Sequence, residues 1–189
     1  MIHFGVITIS HGRDDIFRLW CASIRRLREE VGWFPVFVAG DEQHKSICSE
    51  YEIYHWTRPN EPVSQKWNDA MQVMMADEKV KYCMITGSDD IISTPLLKDI
   101  VRLTEGGYDM IGIKQIWFYC AEGLLKGRAR VLSKGKHPQF LGVCKTLSRR
   151  VIDKTGMLWT RDRNWGMDAE CTRNTSRHIK TTAEEVYLQ

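Results

Sequence analysis

Through the first 116 residues, short apolar runs alternate with segments of helical period, and this alternation limits the chain to few folds. The apolar runs predict strands at residues 4–10, 34–40 and 52–56, in a run that starts at Tyr82, and at 109–116. Between them, apolar side chains recur every three or four residues and predict helices at 16–31, 43–50, 64–76 and 95–103. Strands that alternate with helices indicate an α/β fold with a mostly parallel, Rossmann-like sheet flanked by helices.

The pattern is less regular after Trp117. Residues 123–138 are rich in glycine and basic side chains and predict a hairpin or a mobile loop. We expect a strand at 140–144, a short helix at 147–154, a helix from Ala169 and a last strand at 185–188. Since no internal repeat or low-complexity linker interrupts the 189 residues, we predict a single domain, residues 1–189.

The composition is typical of a globular protein, with 43% hydrophobic and 27% charged residues. No apolar run is long enough to span a bilayer, and the first residues enter a strand instead of a secretory signal. The six cysteines form no CxxC pair and no zinc-like spacing, which predicts reduced, mostly buried thiols. These features predict a cytoplasmic protein with no integral membrane association.

The net charge of +3 conceals an uneven distribution of charge along the chain. Residues 1–116 hold 13 Lys and Arg against 17 Asp and Glu, a balance of −4. Residues 117–180 hold 14 Lys and Arg against 5 Asp and Glu, a balance of +9. A basic region of this kind favours a polyanion or a phosphate-rich ligand. The alternative interpretation is a solvated basic face without a partner.

Two adjacent carboxylates, Asp89 and Asp90, follow the run that starts at Tyr82. In open α/β sheets, ligands bind just beyond the carboxyl ends of the strands, so both acids are expected at a ligand-binding edge. Neighbouring carboxylates repel each other unless they share a cation, and a hard ion such as Mg²⁺ or Mn²⁺ that also holds phosphate oxygens suits them. The alternative is a helix N-cap before Thr94 and Pro95.

In this order, the pieces resemble a GT-A type nucleotide-sugar glycosyltransferase, and within that type the inverting family 2. The resemblance extends over most of the chain, about residues 4–171. Five segments carry it, and they are the first strand Val6–Ser10, Asp41 after the second strand, Lys66-Trp67-Asn68, Gly87-Ser88-Asp89-Asp90 and Trp165-Gly166-Met167-Asp168. The fourth segment is similar to the family's DXD-type metal motif, with Ser88 at its first position.

The resemblance implies a role for each segment. Residues 1–116 would form the half that binds the nucleotide sugar, for which a UDP-sugar is expected. Residues 117–189 would form the acceptor-binding and catalytic half. Asp168 would be the catalytic carboxylate, and Glu170 is a weaker alternative. The implied cofactor is Mn²⁺ or Mg²⁺, with Asp89, Asp90 and, by position only, His178 as ligands. The expected substrate-binding residues are Ser10, Arg13, Asp41, Lys66, Asn68, Trp165 and Gly166.

The role of Asp168 also follows from the chemistry of transfer. An acceptor hydroxyl is a poor nucleophile and needs a carboxylate within hydrogen-bond reach to take its proton. If that carboxylate lies behind the anomeric carbon, displacement is in line and the centre inverts. The alternative for Asp168 is a helix N-cap, because a helix is expected from Ala169.

The acceptor and the reaction class stay open. The basic third invites a polyanionic acceptor, for which hydroxymethylpyrimidine in DNA and an acidic or phosphorylated glycan both fit. A nucleotidyltransferase would use a similar sheet, but such chains open with a glycine-rich loop, unlike Ser10-His11-Gly12-Arg13. A non-catalytic nucleic-acid-binding module would explain the basic third and leave Asp89, Asp90 and Asp168 without a role.

Overall fold

The computed structural model describes residues 3–113, 115–120, 126–133, 142–160, 164 and 166–185. The first part of the chain forms β1 (Phe4–Ile9), α1 (Asp14–Val31), β2 (Val36–Gly40), α2 (His44–Glu50), β3 (Tyr54–Thr57), α3 (Val63–Met75), β4 (Tyr82–Ile85) and α4 (Thr94–Glu105). The remainder forms β5 (Met110–Ile113), β6 (Gln115–Tyr119), β7 (Ala129–Ser133), β8 (Lys145–Ser148), α5 (Arg149–Thr155), α6 (Met167–Ser176) and β9 (Thr182–Glu185).

Seven strands form one sheet in the order β3-β2-β1-β4-β8-β5-β9. Every pair is parallel except those of β8, which runs antiparallel to β4 and β5. The prediction of an α/β fold with a mostly parallel sheet is confirmed. The carboxyl ends of β1, β2, β4 and β5 and the amino end of β8 therefore lie at the same end of the sheet. We call this end the carboxyl edge, and it is where ligands bind in such folds.

Amphipathic helices cover both faces of the sheet. Helix α1 buries a stripe at helical spacing, Phe17, Trp20, Cys21, Ile24 and Leu27, in the cluster that also holds α2 and α4. Helix α3 buries a second stripe in the cluster on the other face, together with α5 and α6. Because both faces are covered, all five residues of β2 are buried, which explains why this strand is apolar throughout and does not alternate.

The sequence-based expectations for the last third need correction. The strand expected at 140–144 is wrong in its described part, because Cys144 has a left-handed φ of 55° and the strand begins at Lys145. The run expected as one strand at 109–116 is divided between β5 and β6, which belong to different sheets. Strand β7 lies inside the expected hairpin at 123–138, but its partner β6 precedes that region. Positions 123–125, 134–141 and 186–188 lie outside the described residues.

All six cysteines are free, and five of them are buried, which confirms the prediction that most of the thiols are buried. Among the helices of the described ranges, none combines the length and the apolar character needed to cross a bilayer.

Asp109 fastens the last strand to the sheet. Its carboxylate accepts hydrogen bonds from Arg150 Nε at 3.0 Å and from the backbone N–H groups of Lys180 and Thr181 at 2.7 and 3.2 Å. Burial would raise the pKa of Asp109, but the Arg150 guanidinium and the two N–H groups lower it to about 2. A carboxyl whose pKa is depressed in the folded state stabilises the fold above its unfolded pKa and loses this contribution as the pH falls.

We expect Asp109→Asn to lower the free energy of unfolding by about 2 kcal/mol at pH 7, the value of the pKa shift. In the wild type, this contribution is complete above about pH 5, falls to roughly half by pH 3 and disappears below pH 2. Urea unfolding of both proteins at pH 7 and pH 3 measures the difference. The control is Asp99→Asn, which removes an exposed pair with Arg102 and is expected to cost less than about 1 kcal/mol. An equal loss at both pH values would contradict this account of Asp109.

Candidate active site

The loop after β1 crosses the carboxyl edge of the sheet to the loop after β4. Gly12 and Arg13 both adopt left-handed backbone conformations, with φ of 54° and 53°. A left-handed Arg is uncommon, and such outliers cluster at functional sites. This conformation lets Arg13 Nη1 donate a hydrogen bond to Asp89 Oδ2 at 2.8 Å. Arg13, an expected substrate-binding residue, and Asp89, an expected metal ligand, are therefore neighbours.

Asp41 is the centre of a second cluster at this edge. Its Oδ2 accepts hydrogen bonds from Gly12 N and His11 Nδ1, both at 2.9 Å. Lys66, whose side chain is fully buried, lies 3.6 Å from Asp41 Oδ1 and donates to Ser10 O at 2.7 Å. Burial would raise the pKa of Asp41, but the Gly12 N–H, His11 and Lys66 hold it below its ordinary value. The structure thus brings together Ser10, Asp41 and Lys66, three of the residues expected to bind substrate.

A buried hydrogen-bonded chain lies below this cluster. Ser10 Oγ donates to His44 Nδ1 at 2.7 Å, and His44 Nε2 donates to Asp14 Oδ1 at 3.1 Å. Since an ionised carboxylate only accepts, His44 carries its proton on Nε2. Ser10 and His44 are both buried, so they support the loop from below. His44 is not among the residues predicted from the sequence, although its place just after the second strand could have indicated it.

His55, on β3, adds a polar atom beside this cluster. In the described part of the chain, its buried Nε2 has no hydrogen-bond partner, and burial lowers the pKa of His55. A Cβ on Gly40 would overlap Ser10 Oγ and lie 3.0 Å from His55 Nε2. Gly40 therefore leaves room at the end of β2 for Ser10 and His55 to approach each other.

Asp90 lies deeper than Asp89. Its Oδ2 accepts from Gly87 N at 2.6 Å, which closes a tight turn after β4. Burial raises the pKa of Asp90, and the carboxylates of Asp89 and Asp168 raise it further, against the Gly87 N–H. The interpretation of these acids as a helix cap is wrong, because α4 is capped by Ser93, whose Oγ accepts from Leu96 N. Lys145 pairs with Ile85 at the end of β4 and donates to the backbone oxygen of Asp168, so Asp90 and Asp168 lie at the same end of the sheet.

Asp168 approaches from the last third of the chain, on α6. Helix α6 begins at Met167 with Gly166 as its N-cap residue, at a left-handed φ of 72°. Asp168 is thus in the first turn, not at the cap, so the capping interpretation is wrong. Its exposed carboxylate lies against Gly142, where a Cβ would overlap it. Buried Lys145 donates to the backbone oxygen of Asp168 at 3.3 Å and fixes this turn.

Glu170 does not share the position of Asp168. It is buried and accepts a hydrogen bond from Thr160 Oγ1, so its carboxylate is part of the packing under α6. Residues two apart on a helix point to different sides, and here Asp168 takes the outer side. Asp168 is the better candidate for a general base.

Asn68 is engaged elsewhere. Its Nδ2 donates to Trp159 O at 2.7 Å, and its Oδ1 accepts from Trp159 N at 3.3 Å. The side chain also lines a cleft of about 510 Å³ between α3 and α5. Asn68 thus joins α3 to the acceptor half instead of turning toward Asp41 as its neighbour Lys66 does.

His178 is placed far from the two acids. Its backbone oxygen accepts from Arg150 Nη2 at 2.9 Å, and Arg150 also binds Asp109, which precedes β5. This is the edge where β5 begins, opposite the edge where β4 ends. The structure therefore does not bring His178 to Asp89 and Asp90. Trp165, another expected site residue, lies outside the described residues.

The basic third is not one continuous surface. Lys145 is buried, and Arg149 donates three hydrogen bonds to the backbone oxygens of Val80, Met75 and Asp77. Arg150 is paired with Asp109. At least three of the 14 cations therefore have structural roles, which corrects the interpretation of this region as a single basic patch.

A divalent cation fits these residues only together with a phosphate ligand. Among the described residues, no three His, Cys, Asp or Glu side chains are grouped to hold a metal ion. Asp89 Oδ2 already bonds to Arg13 and Asp90 Oδ2 to Gly87 N, so each carboxylate is engaged through one oxygen. Mg²⁺ is commonly bound by one or two carboxylates, with substrate phosphates and water completing its shell. Burial and, to a smaller extent, the neighbouring carboxylates raise the pKa of Asp90, and a bound cation would offset the cost of keeping this group ionised.

We expect Gly142→Ala to displace the Asp168 carboxylate, because the new Cβ would overlap it. The glycine has no left-handed φ, so the substitution adds no backbone strain. Sugar transfer should fall at least about tenfold, as misplaced catalytic groups lose rate steeply, while nucleotide binding and melting temperature should change little. Gly156→Ala is a control for stability only, since it adds a Cβ at a left-handed φ in open space. Unchanged transfer by Gly142→Ala would show that the position of Asp168 does not matter.

Comparisons with known proteins agree with this fold. No protein-family model matches the chain, and a search of curated proteins found no match. Among solved structures, Staphylococcus aureus TarS matches with a TM-score of 0.72 and 16% identity, over 98% of this chain and 35% of that chain. TarS residues 1–349 in complex with UDP-GlcNAc match with a TM-score of 0.68 and 17% identity, over 98% and 59%. The chain thus spans between about a third and three fifths of the TarS chains it matches.

A third structure shows how widely the fold is shared. The 4-diphosphocytidyl-2C-methyl-D-erythritol synthase from Anaerococcus prevotii matches with a TM-score of 0.58 and 10% identity, over 98% of this chain and 89% of that chain. These identities are too low to transfer an activity, but the superpositions extend over almost the whole chain. The expectation from the sequence is confirmed at the level of the fold: the chain has the GT-A-like fold of nucleotide-sugar transferases.

Proposed function

We propose that this chain is a glycosyltransferase that moves a sugar from a nucleoside-diphosphate donor to an acceptor hydroxyl with inversion. One observation carries the proposal: Lys145, which pairs with Ile85 at the end of β4, also donates a hydrogen bond to the backbone oxygen of Asp168, so Asp168 lies at the end of the strand that leads to Asp89 and Asp90. A site for a diphosphate and a candidate base for the acceptor therefore share one edge of the sheet.

The donor is proposed to be a UDP-sugar. TarS, which has the same fold, has been crystallised with UDP-GlcNAc and with UDP. In this chain, the cluster of Asp41, Lys66 and Ser10 lies at the ends of β1 and β2. In the strand order β2-β1-β4-β8, the Arg13–Asp89 pair joins the ends of β1 and β4, and Lys145 of β8 binds Asp168 O on the other side of β4. A nucleoside bound at that cluster would extend its diphosphate past Arg13 toward Asp90.

The leaving diphosphate needs positive charge as its bond to the sugar breaks. Asp90, with Asp89 once Arg13 turns to the phosphates, would hold Mn²⁺ or Mg²⁺, which supplies Lewis-acid neutralisation of the leaving group. The Arg13 guanidinium can donate two parallel hydrogen bonds to phosphate oxygens. Because Arg13 is already at the edge of the site, this exchange of Asp89 for phosphate needs only a side-chain rotation.

The acceptor hydroxyl loses its proton to Asp168. Asp168 lies in the first turn of α6, with its carboxylate exposed. Lys145 and Gly142 restrict where the carboxylate can lie. A base on the side opposite the diphosphate leads to in-line displacement and inversion at the anomeric carbon.

The rival proposal is a nucleotidyltransferase, and the products separate the two. A glycosyltransferase releases nucleoside diphosphate from a nucleotide sugar, whereas a nucleotidyltransferase releases pyrophosphate from a nucleoside triphosphate. We propose to incubate the protein with Mn²⁺ and a panel of nucleotide sugars and triphosphates and to assay both products. Release of UDP from a UDP-sugar is expected, and pyrophosphate release from CTP or UTP without it would favour the rival. Release of neither product, together with binding of nucleic acid, would favour a non-catalytic module.

The acceptor is proposed to be polyanionic, with hydroxymethylpyrimidine in DNA as one candidate and an acidic glycan as another. The support for a polyanionic acceptor comes from the cations of residues 117–180 that remain exposed. Among them, Lys126, Arg128 and Arg130 lie on β7 and the turn before it. Filter binding of duplex DNA at two salt concentrations tests the first candidate, because phosphate contacts weaken steeply with salt. Absence of salt-dependent binding would remove DNA from consideration.

A further inference from the structure

Strands β6 and β7 form a two-stranded ribbon separate from the main sheet. The ribbon starts just after β5, at the edge of the sheet that carries Asp90 and Asp168. Its apolar side chains are open to solvent, with Trp117 and Tyr119 at 59% and 71% exposure and Phe118, Val131 and Leu132 also exposed. A two-stranded ribbon has little stability of its own in water, so such a surface is expected to be covered in use.

The exposed apolar side chains lie on both faces of the ribbon. Trp117 pairs with Val131, and Tyr119 shares their face because side chains alternate along a strand. Phe118 and Leu132 belong to the opposite face. A protein, a second copy of this chain or a polymer laid on one face would leave the other face in water. An environment that surrounds the ribbon would cover both.

The ribbon is also basic. Lys126, Arg128 and Arg130 are exposed on it, and residues 115–133 contain a single acid, Glu122. Arg130 is paired with Phe118 across the ribbon, so a cation stands on the same face as an exposed aromatic ring. Neighbouring aromatic and cationic side chains suit a partner whose interior is apolar and whose surface is anionic.

We propose that the β6–β7 ribbon inserts shallowly into the headgroup region of an anionic membrane. Trp and Tyr favour this region because their rings are apolar and their N–H and O–H groups still reach water. The cations would contact the anionic headgroups. Insertion is shallow because, in the described residues, the outer edges of β6 and β7 pair with no further strand and need water for their N–H and C=O groups.

Docking in this way would turn the carboxyl edge of the sheet toward the bilayer. The acceptor hydroxyl would then reach Asp168 from a molecule held at the membrane surface. The inference concerns where the protein works and does not depend on the metal or on the donor. Nucleotide binding should therefore be the same with and without vesicles.

The test is co-sedimentation with vesicles of phosphatidylcholine, with and without phosphatidylglycerol. Wild-type protein should bind the anionic vesicles and bind neutral ones weakly. Arg128→Gln with Arg130→Gln should weaken partition about 30-fold, the effect of two cations at about 1 kcal/mol each, and added salt should reduce binding. Trp117→Ser with Tyr119→Ser should lower binding at least tenfold to both kinds of vesicle, since buried apolar area is lost.

Trp33→Ser is the matched control. Trp33 is exposed to 57%, almost as much as Trp117, but precedes β2 at the opposite edge of the sheet. The Trp33→Ser variant should bind vesicles as the wild type does. Unchanged melting temperatures would show that all the variants are folded. The proposal is overturned if wild-type protein ignores anionic vesicles or if Trp33→Ser loses binding equally. It is also overturned if the ribbon variants convert a dimer to a monomer, or lose binding to nucleic acid and not to vesicles.

Discussion

Asp168→Asn is expected to lower the rate of sugar transfer by about 10²–10⁴-fold, the usual contribution of a general base. An amide cannot take the proton of the acceptor hydroxyl, although it has nearly the shape of the carboxylate it replaces. Nucleotide binding should be unchanged, since Asp168 approaches from the acceptor half and bonds to no residue of the Asp41 cluster. Turnover of the UDP-sugar and calorimetric binding of UDP measure the two effects separately.

Asp15→Asn is the matched control for this variant. Both acids are exposed and lie in the first turn of a helix, so each substitution loses a similar interaction with the helix dipole, about 0.3–1 kcal/mol. Asp15→Asn should keep normal turnover, which would separate catalysis from helix stability. Near-normal transfer by Asp168→Asn would show that the base has been assigned to the wrong residue.

Asp90→Asn is expected to abolish the stabilisation that metal and nucleotide produce together. At a ligand concentration of 100 times Kd, a ligand that binds only the folded state adds about 2.7 kcal/mol to the free energy of unfolding. The variant should lose this gain because the carboxylate that holds the cation is absent. Chemical unfolding in the presence of Mn²⁺, of UDP and of both together measures the gain in the free energy of unfolding.

In the absence of ligand, Asp90→Asn should not lower the free energy of unfolding. Burial raises the pKa of Asp90, with contributions from Asp89 and Asp168, so the folded state disfavours the ionised form at neutral pH. Removing that charge should leave the ligand-free variant as stable as the wild type or more stable. Asp89→Asn should have a smaller effect on the metal-dependent gain, since Asp89 is exposed and shared with Arg13. A full gain retained by Asp90→Asn would contradict the proposed cation site.

The first four strand–helix units were predictable because each is decided locally. Strand β2 is apolar throughout, and α1 has a complete buried stripe, so the period of the sequence sets their position. Strand β8 was not predictable in this way. It lies between β4 and β5 in antiparallel pairing, and its start is set by the left-handed Cys144 before it. Contacts distant in sequence, not local pattern, decide that segment.

The edge that holds the site was also predictable, but the partners of its side chains were not. Acids after the ends of strands implied that Asp41, Asp89 and Asp90 lie at one edge. The bond from Arg13 to Asp89 depends on two left-handed residues, and the engagement of Asn68 depends on Trp159 from the last third. The phase of α6 was a second missed clue besides His44, since a start at Met167 turns Asp168 outward and Glu170 inward.

The proposed mechanism of sugar transfer requires a cation and a diphosphate to bind together at the carboxyl edge of the sheet, next to Asp168. Calorimetric titration of wild-type protein with UDP, in Mn²⁺ and again in EDTA, tests this most directly. We predict saturable binding in Mn²⁺ and binding at least about tenfold weaker in EDTA, a difference of about 1.4 kcal/mol. Equal affinity in both buffers would contradict the cation, and no binding of UDP in either would contradict the account as a whole.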